Sequence, residues 1–150
     1  MDLRLFVQEL LEKVGAPFDT IEIIDGHRTV ARVSAPDASL IGERGDTLRA
    51  LNLVARRLAE ATFSAEAANF LIDVNDYHES QLEKVRQEAR VLAQRARLFK
   101  HDVELPPQSA YERLVVHELF AEDPEIETQS AGEGKFRHIV LKYKNPTGKV

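Results

Sequence analysis

The chain of 150 residues has no cysteine, and that absence removes disulfide frameworks, thiolate zinc sites, thiol nucleophiles and iron-sulfur ligation. Any chemistry must use oxygen, nitrogen or backbone groups. No apolar run approaches the roughly 18 residues that a membrane-spanning helix needs, so no span is expected. Residues 1–14 place Leu3, Phe6, Val7, Leu10, Leu11 and Val14 on one helical face with Asp2, Glu9 and Glu12 between them. That pattern is neither the apolar core of a signal peptide nor an acid-poor transit peptide, and a cytosolic location is the expectation. Walker and G-x-G-x-x-G loops are missing, His117-Glu118 has Ala121 where a zincin needs its second histidine, and Pro146 bars Asn145 from glycosylation. The 5 histidines are scattered, and most carboxylates sit on helix faces within reach of arginines. No catalytic residue, metal or cofactor is expected, and no repeat or low-complexity tract occurs.

What is present is apolar material, 43% of the chain, enough for one ordinary domain or two small ones. The net charge of −5 is uneven. Residues 1–76 carry 8 Lys and Arg against 13 Asp and Glu, whereas residues 77–150 carry 12 of each. An acidic total argues against a general nucleic-acid binder, so local patches must decide.

Patterning predicts a first helix ending at Gly15, with Pro17 beyond it. Two strands, Asp19 to Asp25 and Arg28 to Ser34, flank Asp25-Gly26, a dipeptide suited to the positive φ of a tight hairpin turn. A short apolar turn, read as a short helix, leads to Leu40-Ile41, and Gly42-Glu43-Arg44-Gly45 opens a further helix capped by Asp46 or Thr47, with Leu48, Leu51, Ala55 and Leu58 as its buried stripe. Residues 68–74 form a third strand, with Phe70, Ile72 and Val74 on one face and Asp73 on the other.

From Tyr77 to Lys100 the spacing of Leu82, Val85, Ala89, Leu92, Ala96 and Phe99 predicts a long helix joining two halves, with Arg86, Arg90 and Arg97 on the opposite face. Ser109 and Glu112 then make a capping box for a helix reaching about Ala121, where Asp123-Pro124 ends it. Strands over 125–130 and 136–143 are joined through Ala131-Gly132-Glu133-Gly134, a flexible turn, and residues 145–150 form a flexible tail. Phe18, Phe63, Phe70, Phe99 and Phe120 read as core; Phe136 beside Arg137 fits either core or a stacking role.

Two candidates could carry function. Gly42 and Gly45 allow close backbone approach to a sugar-phosphate chain, the amides of the following helix present donors to an anion, and Ile41 and Glu43 complete the loop. Arg44 supplies a cation, and Arg49 with Arg56, seven apart on one helical face, extends the path. The second candidate is the Arg113 and His117 pair, neighbours at i and i+4. Arginine offers a bidentate phosphate donor, and histidine donates to phosphate or stacks on a base. The same pair also reads as purely structural, His117 bonded to the adjacent strand and Arg113 paired with Glu112 or Glu118.

The first candidate's placement resembles the KH domain, whose core is strand, helix, G-x-x-G loop, helix, strand; the extra leading helix and strand look like the type II arrangement. KH domains clamp about four nucleotides of single-stranded RNA or DNA. Glu43 departs from the cation found in many members. Val103 to Leu141, with Leu105-Pro106, Tyr111-Glu112-Arg113, Val116-His117, Asp123-Pro124, Ser130-Ala131-Gly132-Glu133 and Phe136-Arg137, is similar to the R-3-H domain, named for an arginine and histidine three residues apart, which binds single-stranded nucleic acid. Together they resemble the bacterial Jag family, also called SpoIIIJ-associated proteins, whose longer members begin with a further small domain. Leu114 replaces what is often another basic residue.

The resemblance implies an α+β protein: a type II KH domain (α-β-β-α-α-β) over residues 1–76, a connecting helix over 77–100, a small α/β R-3-H domain over 101–144 and the tail. It implies a non-enzyme binding single-stranded RNA, with single-stranded DNA the other candidate, through Ile41, Gly42, Glu43, Arg44, Gly45, Arg49, Arg56, Arg113, His117 and Arg137. The alternative is an interaction adaptor of the cell envelope or membrane-insertion machinery, docking on a KH-family or membrane-associated protein; a homodimer is compatible with either.

Overall fold

The computed structural model describes residues 1–146. The chain divides into two compact units, the boundary falling between Glu79 and Ser80.

In the first unit, helix α1 (Leu3–Lys13) starts where the Asp2 carboxylate accepts the Leu5 N–H at 3.1 Å and stops at Gly15, φ 69°. Strands β1 (Thr20–Ile24) and β2 (Thr29–Ser34) pair antiparallel, and after helix α2 (Asp46–Thr62) strand β3 (Phe70–Val74) returns parallel to β2. The sheet order is β1-β2-β3. Alternation along the strands sends Ile21, Ala31, Val33, Phe70, Ile72 and Val74 to one face. There they pack with Val7, Leu10 and Leu11 of α1 and Leu48, Leu51, Ala55 and Ala59 of α2. Arg32, on the other face, pairs with Glu22 at 3.6 Å and Asp76 at 3.0 Å.

In the second unit, strand β4 (Val103–Glu104) and strand β5 (Ile126–Ala131) both pair antiparallel with strand β6 (His138–Tyr143), in the order β4-β6-β5. Helix α3 (Tyr77–Phe99) spans the division of the chain. Its Ala89, Ala93 and Ala96 join Leu105, Val116, Phe120, Ile126, Ile139 and Leu141 in the second core. Helix α4 (Ala110–Leu119) carries the expected capping box: the Glu112 N–H donates to Ser109 Oγ at 3.2 Å and the Ser109 N–H to Glu112 Oε2 at 2.9 Å. None of the helices among the described residues is long and apolar enough to cross a membrane.

Several local expectations are corrected. Ile24 pairs with Val30, so the β1–β2 connection is wider than two residues, and no residue from Asp25 to Arg28 has positive φ. The segment before the loop is a single turn: Pro36 and an Asp37 side chain that accepts the Ser39 N–H start it, and Gly42 at φ 72° ends it. Asp46 and Thr47 do not cap α2; Gly45 holds that position, with no side-chain bond. Leu58 is exposed, because the stripe continues from Ala55 to Ala59 and takes in Asn52 instead. Phe63 and Phe99 are surface residues, and Arg97 turns inward to Asp123. The Ala131–Gly134 turn is well bonded, and the last four residues of the expected tail lie outside the described residues.

Candidate nucleic-acid interface

The first loop is built by backbone geometry. Beyond β2, the Asn75 side-chain amide pins Ala35 through both its N–H (2.9 Å) and its carbonyl (3.2 Å), which fixes where the chain leaves the sheet. A Cβ at Gly42 would lie 2.1 Å from Thr47 Oγ1, and one at Gly45 would lie 2.8 Å from the Tyr77 ring. Gly45 is itself left-handed at φ 77°. Both glycines are therefore demanded by the fold itself. Between them Glu43 and Arg44 stand exposed at the tip, Arg44 held left-handed at φ 53°, while Ile41 packs against the core.

The expected anion cradle at the start of α2 is largely occupied. The Asp46 N–H donates to the Glu43 carbonyl and the Leu48 N–H to the Ile41 carbonyl at 3.1 Å. Arg49 acts as a strut, donating to the Arg44 carbonyl at 3.0 Å and forming an ion pair with Asp46. Arg56 is exposed and donates from Nε to the Asn52 carbonyl at 3.3 Å. Arg44 and Arg56 are the cations this region offers outward, with Glu43 and Asp46 opposing them.

The second candidate is assembled from α4, β5 and the segment leading into α4. His117 lies between two hydroxyls of one strand face, Nδ1 2.6 Å from Thr128 Oγ1 and Nε2 3.4 Å from Ser130 Oγ. Arg113 donates from Nη1 to the Gln108 carbonyl at 2.7 Å, a backbone partner rather than the expected carboxylate. Gln108 also donates its N–H to the Arg137 carbonyl at 3.0 Å and accepts the Ile139 N–H on Oε1 at 3.2 Å. Arg137 donates from Nη1 to the Gly132 carbonyl at 2.9 Å. Gln108 thus ties the Arg113 side chain to the Arg137 backbone, while β5 holds His117. Gln108 and Thr128 escaped sequence reasoning, since they are ordinary polar residues whose distinction is their tertiary partner.

Residues 80–143 match the R-3-H domain. The second unit thus carries that domain. Over nearly the whole chain, similarity extends to RNA-binding protein KhpB of Bacillus subtilis, 29% identical over 145 residues, covering 94% of this chain and 69% of the relative. The protein of the same name from Clostridium symbiosum is 30% identical over 105 residues, 70% of this chain and 47% of the relative. In Lactiplantibacillus plantarum the corresponding figures are 28% over 102 residues, 68% and 31%.

Proposed function

We propose that this protein binds single-stranded RNA without catalysing a reaction, and that its first unit is a type II KH domain working beside the R-3-H domain. The observation that carries this reading is the similarity over 94% of the chain to a relative named as an RNA-binding protein. Support for the KH assignment comes from a mixed three-stranded sheet backed by α1 and α2, with a glycine-flanked tip at the start of α2. Arg44 and Arg56 then meet phosphates in the first unit, and Arg113, His117 and Arg137 in the second; an intracellular location follows from such a substrate. Anisotropy of a labelled oligoribonucleotide, titrated with salt, tests the proposal. Affinity should fall linearly on a log-log plot with a slope of about −0.7 per phosphate contact for a single strand. Absence of binding at low salt would end it, and a parallel DNA strand reads the sugar preference.

A second reading, an interaction adaptor, is favoured by one observation: Leu53, Val54 and Leu58 are exposed along α2. Sedimentation of the pure protein tests what covers that surface: a concentration-dependent dimer assigns it to a second copy, and a monomer at every concentration leaves it to a different protein.

A further inference from the structure

The turn between β5 and β6 presents an aromatic ring in an unusual way. Phe136 is 66% exposed. Other exposed phenylalanines have ring partners: Phe63 meets Phe6 edge-on at 6.2 Å, and Phe99 lies stacked on His101 at 5.9 Å. Phe136 meets an ammonium instead, Lys135 Nζ, 5.2 Å from its centroid.

The backbone beneath that ring is tightly held. The Phe136 N–H donates to the Glu133 carbonyl at 3.2 Å and the Arg137 N–H to the Gly134 carbonyl at 3.2 Å, while His138 Nδ1 lies 2.9 Å from the Phe136 carbonyl. Gly132, at φ 81°, lets that carbonyl approach, since a Cβ there would be 3.0 Å from it. None of these restraints uses the ring, so a large apolar side chain is held out in water by a turn whose order does not depend on it. Such exposure costs solvation free energy, offset inside the fold only in part by the Lys135 contact.

Position and charge indicate the occupant. Arg137, next in sequence, is joined through Gln108 to Arg113, and Ser130, two residues before Gly132, touches His117. The turn that carries the exposed ring is therefore tied by hydrogen bonds to the segments bearing Arg113 and His117, with Lys135 and Arg137 flanking the ring in sequence and Glu133 in the turn itself. Cations beside an exposed aromatic ring match a nucleotide, whose phosphate and base require one of each.

We propose that Phe136 is a stacking platform for one nucleobase of a bound single strand, a subsite adjoining the Arg113 and His117 face; this rests on the nucleic-acid reading above. Stacking needs only a π-face, so the subsite tolerates any base and adds affinity without sequence choice.

The test uses the full chain and a short mixed-sequence oligoribonucleotide, alongside a strand of equal length made of abasic units. Phe136→Ala should bind the normal strand about tenfold more weakly, 1.4 kcal/mol, with the salt slope and melting temperature unchanged. Phe136→Trp should restore binding, and on the abasic strand Phe136→Ala and the parent should be equal. Equal affinity of parent and Phe136→Ala for the normal strand overturns the subsite, as does an equal loss on the abasic strand. A parent protein that binds neither strand overturns the nucleic-acid reading itself, a result distinct from both.

Discussion

Asn52 sits on a helix yet completes a sheet. Its amide donates to the Ile72 carbonyl and accepts the Ile72 N–H, both at 2.8 Å, so it occupies the free edge of β3 as a neighbouring strand would. Asn52→Leu would strand both backbone groups in the core, and the protein should lose about 2 to 4 kcal/mol in chemical denaturation; an unmoved midpoint would refute this role. At the loop tip, charge governs. Because Glu43 is exposed, Glu43→Lys should leave the melting temperature alone, tighten RNA binding at low salt and steepen the salt slope by about one contact. His117 and Arg113 should separate. His117→Ala removes the bond to Thr128 and should cost about 1 to 2 kcal/mol of stability, whereas Arg113→Ala, which removes one bond to the Gln108 carbonyl, should act mainly on binding. Parallel melting and anisotropy measurements on the two variants check this, and the reverse pattern would exchange their roles.

Among the elements, α2 is the one whose beginning constrains experiment most. Gly45 is left-handed beneath the Tyr77 ring, so Gly45→Ala should destabilise by about 1 to 3 kcal/mol. An unfolding titration reads that loss, and a neutral result would mean the ring gives way freely. Substitution of the loop glycines is consequently a poor probe of ligand contact; Glu43 and Arg44 are the informative positions. In the second unit Arg97 of α3 pairs with Asp123 and approaches Glu125 at 3.7 Å, while Asp123 Oδ1 accepts the N–H groups of Glu125 and Ile126. One carboxylate thus orders the turn into β5 and receives a helix from outside it. Arg97→Met keeps the stem and removes the charge, and should lower stability by about 1 to 3 kcal/mol, read by calorimetry, the range for hydrogen bonds to charged groups.

For the whole molecule, charge acts through pH as well as through salt. Asp37 titrates below its ordinary value, chiefly through the Ser39 side chain and then its N–H, and Glu83 is lowered by Gln87 first, with Arg86 and Arg90 adding and burial opposing. Carboxylates depressed in the folded state contribute stability that is present at neutral pH and lost as pH falls through the carboxylate range. Asp37→Asn removes one such contribution. The variant should therefore be slightly less stable than the parent at neutral pH and converge with it in acid, a difference read from urea midpoints measured across that range.

At this same scale the boundary of sequence reasoning is visible. The periodicity of α1 and α3, the Ser109 and Glu112 box, the alternation of β3 and the glycine-flanked loop were all legible, because each is a pattern within a few residues and reflects local backbone physics. Other features depended on partners distant in the chain. Leu58 or Ala59 facing inward is decided by the sheet that α2 meets, and the width of the β1–β2 connection by the register of Ile24 against Val30. Asn52 finds Ile72 on another element, Gly45 finds Tyr77, and Gln108 gathers Arg137 and Arg113. Sequence by itself determined the four long helices and the strands other than β4, since burial periodicity and capping are local free energies, whereas the two-residue β4 exists through its pairing with β6. Tertiary structure alone decided which arginines serve as struts and which face outward, because a guanidinium's role depends on the carbonyl or carboxylate that folding brings within its reach.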